Sequence, residues 1–228
     1  MPTAPDFRHI RTWIFDLDNT LYRADSDLFA QIDRRMQAFV MRFLNVDAEE
    51  ARRIQKAYYR DHGTTLTGLS KLHDADPEEF LAEVHDIDLA AIDVDARLVE
   101  AIAALPGKRF VFTNGCRHHA ERVLIRTGLT DFFEDIWDIR TTRFTPKPLA
   151  QSYDHILAHS GVEPRESAMF EDISRNLVPA HALGMTTVWV KNDSHWSKQG
   201  PEFPVAGPGN IDYETSDLGH FLRTIQTK

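Results

Sequence analysis

Trp13-Ile14-Phe15-Asp16-Leu17-Asp18-Asn19-Thr20 decides how this chain is read. Large apolar and β-prone residues run up to Asp16 and stop at carboxylates, the pattern of a buried strand ending in a loop. Residues i and i+2 of an extended segment point to the same side, so Asp16 and Asp18 face one ligand together. Two carboxylates aimed at one point are costly unless something positive lies between them. Read alone, Asp-Leu-Asp-Asn is equally an ordinary polar turn. The functional reading gains weight from Thr113-Asn114, Lys147 and Glu171-Asp172, which follow other β-like runs and complete one chemical site.

Working outward, Leu28, Ile32, Met36, Phe39 and Phe43 recur every three or four residues and predict an amphipathic helix over about 27–44. Further helices are expected over 47–60, around Leu66, Leu69 and Leu72, and from Asp76-Pro77-Glu78-Glu79. In that last stretch Asp76 is a cap, Pro77 fits the first helical position and Glu79 sits where a capping box wants an acid. No convincing strand occurs between Tyr22 and Val94. After that the rhythm alternates. Strands are expected at Arg109–Thr113, Ile136–Asp138, Ser167–Phe170, Thr186–Val190 and Ile211–Tyr213, and helices over 95–105, 117–127, 147–159, 175–183 and 218–225. Residues 192–210, rich in Gly, Pro and Ser, read as a surface loop containing Trp196. The expected fold is α/β, a parallel sheet covered on both faces with right-handed crossovers. One core is formed by 1–21 and 95–228, and an all-helical unit, 22–94, is inserted after the first strand.

With 228 residues and 42% hydrophobic content, the chain is long enough for such a core and insertion. A net charge of −9 argues against a nucleic-acid polymer as partner. The lone Cys116 excludes an internal disulfide and fits a reducing compartment, and no stretch reaches the length of a membrane span. A soluble, cytoplasmic protein, monomer or homodimer, is expected.

The chemistry these residues permit is phosphoryl transfer. Mg2+ takes hard oxygen ligands and uses one or two carboxylates plus substrate phosphate. A carboxylate attacks phosphorus to give an aspartyl-phosphate, the role assigned to Asp16. Asp18 would protonate the departing alcohol and then take a proton from water. Thr113 and Lys147 would hold the phosphoryl oxygens.

Asp16-Leu17-Asp18-Asn19-Thr20, Thr113-Asn114, Lys147-Pro148 and Glu171-Asp172 resemble, in order, the four motifs of the haloacid dehalogenase superfamily, and the helical insertion resembles the cap of one subgroup. The resemblance implies a Rossmann-like core. It also implies that Mg2+ is held by Asp16, the backbone carbonyl of Asp18, and Asp172. Glu171 would support the metal's water shell, Asn114 contact phosphate or leaving group, and Thr20 brace the loop. Finer features resemble the pyrimidine 5′-nucleotidase group: His62-Gly63-Thr64-Thr65-Leu66-Thr67-Gly68-Leu69, Val84-His85-Asp86-Ile87-Asp88-Leu89, and Phe112-Thr113-Asn114-Gly115 with Arg117 and His119-Ala120. That likeness implies hydrolysis of UMP or CMP, with His62, Thr64 and Thr65 near substrate. The group usually has Tyr where this chain has His62, and Asp where it has Cys116.

Other readings compete. Haloacid dehalogenation uses the same nucleophile but has no alkoxide for Asp18 to protonate. Another small ester, such as a sugar phosphate or pyridoxal phosphate, and phosphomutase chemistry share all four motifs; the nucleotidase-like cap disfavours the mutase. A non-catalytic binding protein would have little use for the complete set. His62, His85, His118 and His119 match no zinc spacing and are expected at the surface or in the cleft, and Cys116 is expected to be an inert small residue.

Overall fold

Every apolar run of the α/β alternation becomes a parallel strand. The computed structural model describes residues 4–23, 28–192 and 209–227. Its strands are β1 (Thr12–Phe15), β2 (Lys108–Phe112), β3 (Asp135–Trp137), β4 (Ser167–Glu171), β5 (Thr186–Val190) and β6 (Tyr213–Thr215). They form one parallel sheet in the order β3-β2-β1-β4-β5-β6. The chain therefore starts in the middle, builds one half outward, and returns to build the other, the order of a doubly wound Rossmann sheet.

The described helices are α1 (Leu28–Leu44), α2 (Ala48–His62), α3 (Thr65–His73), α4 (Pro77–Val84), α5 (Ala96–Ala103), α6 (Arg117–Thr127), α7 (Ala150–Ser160), α8 (Leu177–Ala182) and α9 (Leu218–Thr224). Successive side chains of a strand point to opposite faces, and β1 uses both. Trp13 and Phe15 join the apolar cluster that also takes Ala101 and Ile102 of α5, Val123 and Leu124 of α6, and Phe221 and Leu222 of α9. Ile14 joins the second cluster, with Tyr153 and Ile156 of α7 and Leu177 and Ala180 of α8. Burial on both sides explains why these strands are continuous apolar runs instead of alternating ones.

The four helices between β1 and α5 follow their local signals. Asp47, Thr64 and Asp76 each accept a backbone N–H of the helix they precede, from Glu50, Thr67 and Glu78 respectively. The stripe of α1 is buried at Leu28, Ile32, Phe39 and Val40 against α2 and α4. Phe39 meets Phe80 of α4 edge to face at 5.0 Å. Glu79 does not close a capping box; it pairs instead with Arg42 of α1 at 2.9 Å.

Two of the boundaries that differ from expectation have an identifiable cause. The helix predicted from residue 147 begins at Ala150, because the Asn114 side chain accepts from Lys147 N at 2.8 Å and donates to Lys147 O at 3.1 Å, holding that residue out of the helix. The last strand lies at Tyr213–Thr215, not Ile211–Tyr213. Asp212 is spent beforehand, its carboxylate accepting from both the N–H and the hydroxyl of Thr187. Gly107, at φ +84°, admits β2 beside β1: a Cβ there would stand 2.2 Å from Arg11 O. Among the described residues no helix is long and apolar enough to cross a membrane, and Trp196 lies outside them.

Candidate active site

The carboxyl ends of β2, β1 and β4, three neighbours at the centre of the sheet, bring the predicted residues together. Phe15 is level with Val111 on one side and Phe170 on the other, so Asp16, Thr113 and Glu171-Asp172 emerge side by side. The crevice beyond such strand ends, where the order reverses, is where ligands bind in open α/β sheets.

Lys147 is the hub of this cluster. Its ammonium, almost wholly buried, donates to Asp16 Oδ1 at 2.7 Å, Glu171 Oε1 at 2.8 Å and Phe112 O at 2.7 Å. All three donors of the ammonium are thereby used. Burial by itself would drive Lys147 toward neutrality, but the charges of Asp16 and Glu171 outweigh it and raise its pKa. Glu171 is equally committed: Oε1 also accepts from Asn176 Nδ2 at 2.5 Å, and Oε2 accepts from Ile173 N at 2.7 Å.

Asp16, Glu171 and Asp172 offer oxygens all within 4.8 Å of one another. Burial, together with the charges of Glu171 and Asp18, pushes Asp16 up to about 7 against the opposing pull of Lys147. Burial, Glu171 and Asp16 push Asp172 up strongly as well. Three carboxylates, if all ionised, against one ammonium leave a deficit of two positive charges, which one divalent cation would supply. The all-oxygen donor set suits a hard ion such as Mg2+. Asp172 is braced from behind, Asn192 Nδ2 donating to its Oδ2 at 3.1 Å and Trp189 Nε1 to its main-chain carbonyl at 2.8 Å.

Asp18 faces the same space from a different environment. Burial raises its pKa, but the hydrogen-bonded His119 and the Tyr22 hydroxyl hold it below the ordinary value. Thr20 Oγ1 donates to Asp16 Oδ2 at 3.2 Å. The hydroxyl oxygen of Thr113 accepts from Gly115 N at 2.9 Å, leaving its hydrogen for an acceptor in the crevice. Asn114 also lines the crevice, while its amide holds the Lys147 backbone.

Above these groups lies a cavity of about 200 Å³, walled on the far side by Phe29, Ile32 and Met36 of α1, Tyr59 of α2, Thr64 and Thr65 before and at the start of α3, and Phe80 and Val84 of α4. Thr64 Oγ1 is engaged in its helix cap and with Thr67, and buried Thr65 donates to Gln55 O. His62 is not among the lining residues; its ring sits edge-on to Tyr58.

Two features escaped the sequence reading. His119, expected at the surface or in the cleft, is completely buried against Asp18. Arg175, which lines the cavity, donates to the Tyr59 hydroxyl and lies 5.3 Å from that ring's centroid, tying the segment after β4 to α2. The only sequence signal for His119 was its place in the stretch following Thr113-Asn114; Arg175 had none.

The family model for haloacid dehalogenase-like hydrolases matches residues 10–184. The chain belongs to the haloacid dehalogenase-like hydrolases. Among relatives, phosphate metabolism protein 8 of Saccharomyces cerevisiae is 28% identical over 201 residues; the match covers 81% of this chain but only 63% of the yeast protein. The glyceraldehyde 3-phosphate phosphatase of Methanocaldococcus jannaschii is 27% identical over 210 residues, covering 85% of this chain and 90% of that protein. In fold, a haloacid dehalogenase-type phosphatase from Thermococcus onnurineus superposes with a TM-score of 0.61 at 22% identity, covering 94% of this chain and 97% of that one. The L-2-haloacid dehalogenase of Xanthobacter autotrophicus superposes at 0.58 with 18% identity and the same coverages. Membership in this hydrolase family does not by itself choose between carbon–halogen and phosphorus–oxygen chemistry.

Proposed function

We propose that this hydrolase is a magnesium-dependent phosphomonoesterase that passes through an aspartyl-phosphate on Asp16, with pyrimidine 5′-monophosphates as its leading substrates. The observation that carries the reaction is Asp18 beside Asp16 on the same crevice, its carboxylate held by His119 and Tyr22. A dehalogenase releases halide and needs no such acid, whereas an alkoxide leaving group does. The phosphatase name of the archaeal relative supports the same choice.

Asp16, Asp172 and the main-chain carbonyl of Asp18 would hold Mg2+, which supplies positive charge beside a dianionic phosphoryl group. Lys147 aligns Asp16 through Oδ1 and keeps it ionised when a cation is also present. Thr113 donates to a phosphoryl oxygen, Asn114 contacts phosphate or leaving group, Thr20 braces the nucleophile's loop and Glu171 supports the metal's water. Phosphate arriving beside Asp18 raises the pKa of that carboxyl, so the group becomes an acid as substrate binds.

In this reading residues 22–94 form a cap over a core of 1–21 and 95–228, and the cap wall selects the leaving group. The aromatic and aliphatic residues Phe29, Ile32, Met36 and Phe80 favour a planar, partly apolar group such as a nucleobase over a bare sugar. Thr64 and Thr65 line the cavity at the cap's entry, whereas His62 does not line it. The archaeal relative supports a second reading, a triose phosphate as substrate. Phosphate release from UMP, CMP, dTMP, AMP, glyceraldehyde 3-phosphate, sugar phosphates and pyridoxal phosphate, with magnesium and with EDTA, tests both. Magnesium-dependent release concentrated on UMP and CMP is the expected result. Preference for glyceraldehyde 3-phosphate selects the second reading, and no release from any ester defeats the phosphatase assignment.

A further inference from the structure

His119 is fully buried, and its Nε2 lies 2.9 Å from Asp18 Oδ1. The Tyr22 hydroxyl donates to the same oxygen at 2.7 Å. Among the described residues no donor reaches Asp18 Oδ2. Sharing a hydrogen with the carboxylate puts the imidazole proton on Nε2, which leaves Nδ1 a bare acceptor. That Nδ1 is buried and has no hydrogen-bond partner. Leaving that atom unsatisfied is unfavourable, so the ring orientation is set by what Nε2 and the ring faces do.

The imidazole of His85, from the end of α4, lies flat against His119, with centroids 4.6 Å apart and planes 13° off parallel. Helix α6 holds both rings in place. Its Arg122 donates to His85 O at 3.0 Å and Ile87 O at 2.7 Å, and Cys116 Sγ lies 3.3 Å from His85 Nδ1. Gly115 borders the stack: a Cβ there would meet His119 Cδ2 and His85 Nε2 at an ordinary 3.5 Å, and Thr113 Oγ1 more tightly at 3.2 Å.

We propose that His119, backed by His85, is the positioning residue for Asp18: with Tyr22 it saturates Oδ1, fixes the carboxyl rotamer, and leaves Oδ2 as the oxygen that exchanges the proton. This rests on the phosphomonoesterase reading. In the first half-reaction an Asp16 oxygen bonds phosphorus, the ester P–O bond breaks with its electron pair on the leaving oxygen, and that oxygen takes the proton from Asp18 Oδ2. In the second, Oδ2 takes a proton back from the water whose oxygen bonds phosphorus, and the Asp16–phosphorus bond breaks to release phosphate.

The test compares wild type, His119→Phe, His119→Gln and Tyr22→Phe on UMP and on p-nitrophenyl phosphate, in steady state and in the first turnover, with melting temperature as a fold control. His119→Phe is expected to lower kcat for UMP by roughly 10–100-fold, the scale of a lost orientation, with KM moved by less than about threefold. First-turnover release of p-nitrophenolate, which needs no acid, should stay within about threefold of wild type and give way to a slow steady state, because water attack still needs Asp18 as base. His119→Gln keeps an N–H at similar reach and should recover most of the loss; Tyr22→Phe should show the same split more weakly. These two variants carry the test should His119→Phe fail to fold. Equal loss on both esters in the first turnover, a His119→Gln no better than His119→Phe, or unchanged UMP turnover in the variants overturns the proposal. A wild type that cleaves neither ester defeats the phosphomonoesterase reading itself, and with it the role of His119; an active wild type with indifferent variants defeats only the latter.

Discussion

Replacing Lys147 by Met keeps most of the apolar stem and removes the ammonium that pairs with Asp16 and Glu171. In the native protein the ammonium has only a trace of solvent exposure and donates to two carboxylates and to Phe112 O. Its loss strands two buried carboxylates and a buried carbonyl. Removing one member of a buried ion pair costs about 3–5 kcal/mol, and for a chain of this length each kcal/mol moves the melting temperature by roughly 2–4 °C. A fall of about 6–20 °C at pH 8 without divalent cation follows. The stranded carboxylates bind protons more tightly folded than unfolded, so the deficit shrinks as pH falls. Thermal melts of both proteins at pH 8 and pH 5.5 in EDTA check this. A deficit under about 2 °C at pH 8, or one equal at both pH values, would refute the view of Lys147 as the electrostatic hub.

The raised carboxyl of Asp16 predicts an inverted pH dependence for the metal-free protein. The native state keeps the Asp16 proton up to about pH 7 while the unfolded chain loses it near 3.8, so this group's contribution is full below 3.8 and is lost as pH rises through 7. Magnesium held as proposed would compete with that proton, and its affinity, read by calorimetry, should weaken by about tenfold per pH unit below 7 for each proton displaced; a constant affinity from pH 5.5 to 8 would contradict it. Asp16→Asn should abolish turnover at any magnesium concentration. Asp172→Asn should regain part of its activity in excess magnesium and, with one crowding charge removed, melt above wild type in EDTA; rescue of Asp16→Asn alone would reverse the two roles. Gly107→Ala places a methyl 2.2 Å from Arg11 O at a positive φ and should cost at least about 2 kcal/mol, a fall of roughly 4–8 °C in melting temperature with kcat unchanged; a neutral substitution would show that the β1–β2 entry is looser than described.

What could be read from the chain and what could not divides by the range of the interaction. The strands around Ile14, Val111, Met169 and Val188 announce themselves because burial on both faces forces continuous apolar runs, a local signal. Helix starts at Asp47, Thr64 and Asp76 are local for the same reason, since a cap satisfies N–H groups two or three residues on. The start of α7 is not local: Asn114 reaches Lys147 across 33 residues and cancels the first turn. The start of β6 depends on Thr187, 25 residues before Asp212. His119 is the extreme case. Its partner Asp18 is 101 residues away, and beyond its place after Thr113-Asn114 no local feature tells the buried ring of His119 from the exposed ring of His118.

The same distinction explains how the site is built. Asp16, Thr113 and Asp172 need no long-range argument beyond the sheet itself, because parallel register carries the end of each central strand to one crevice. Their spacing is set by backbone pairing and survives changes elsewhere. The groups that set their charge and aim arrive from off the sheet: Lys147 from the segment before α7, His119 from α6, Tyr22 from the loop after β1 and Asn192 from beyond β5. Substitution of Asp16 should therefore remove a chemical step outright, whereas substitutions in the second group should alter pH dependence, metal affinity or the balance between half-reactions while the crevice persists. In the proposed phosphatase reading, the first group fixes which bond can break, and the second fixes which of the neighbouring carboxylates is ionised when substrate arrives.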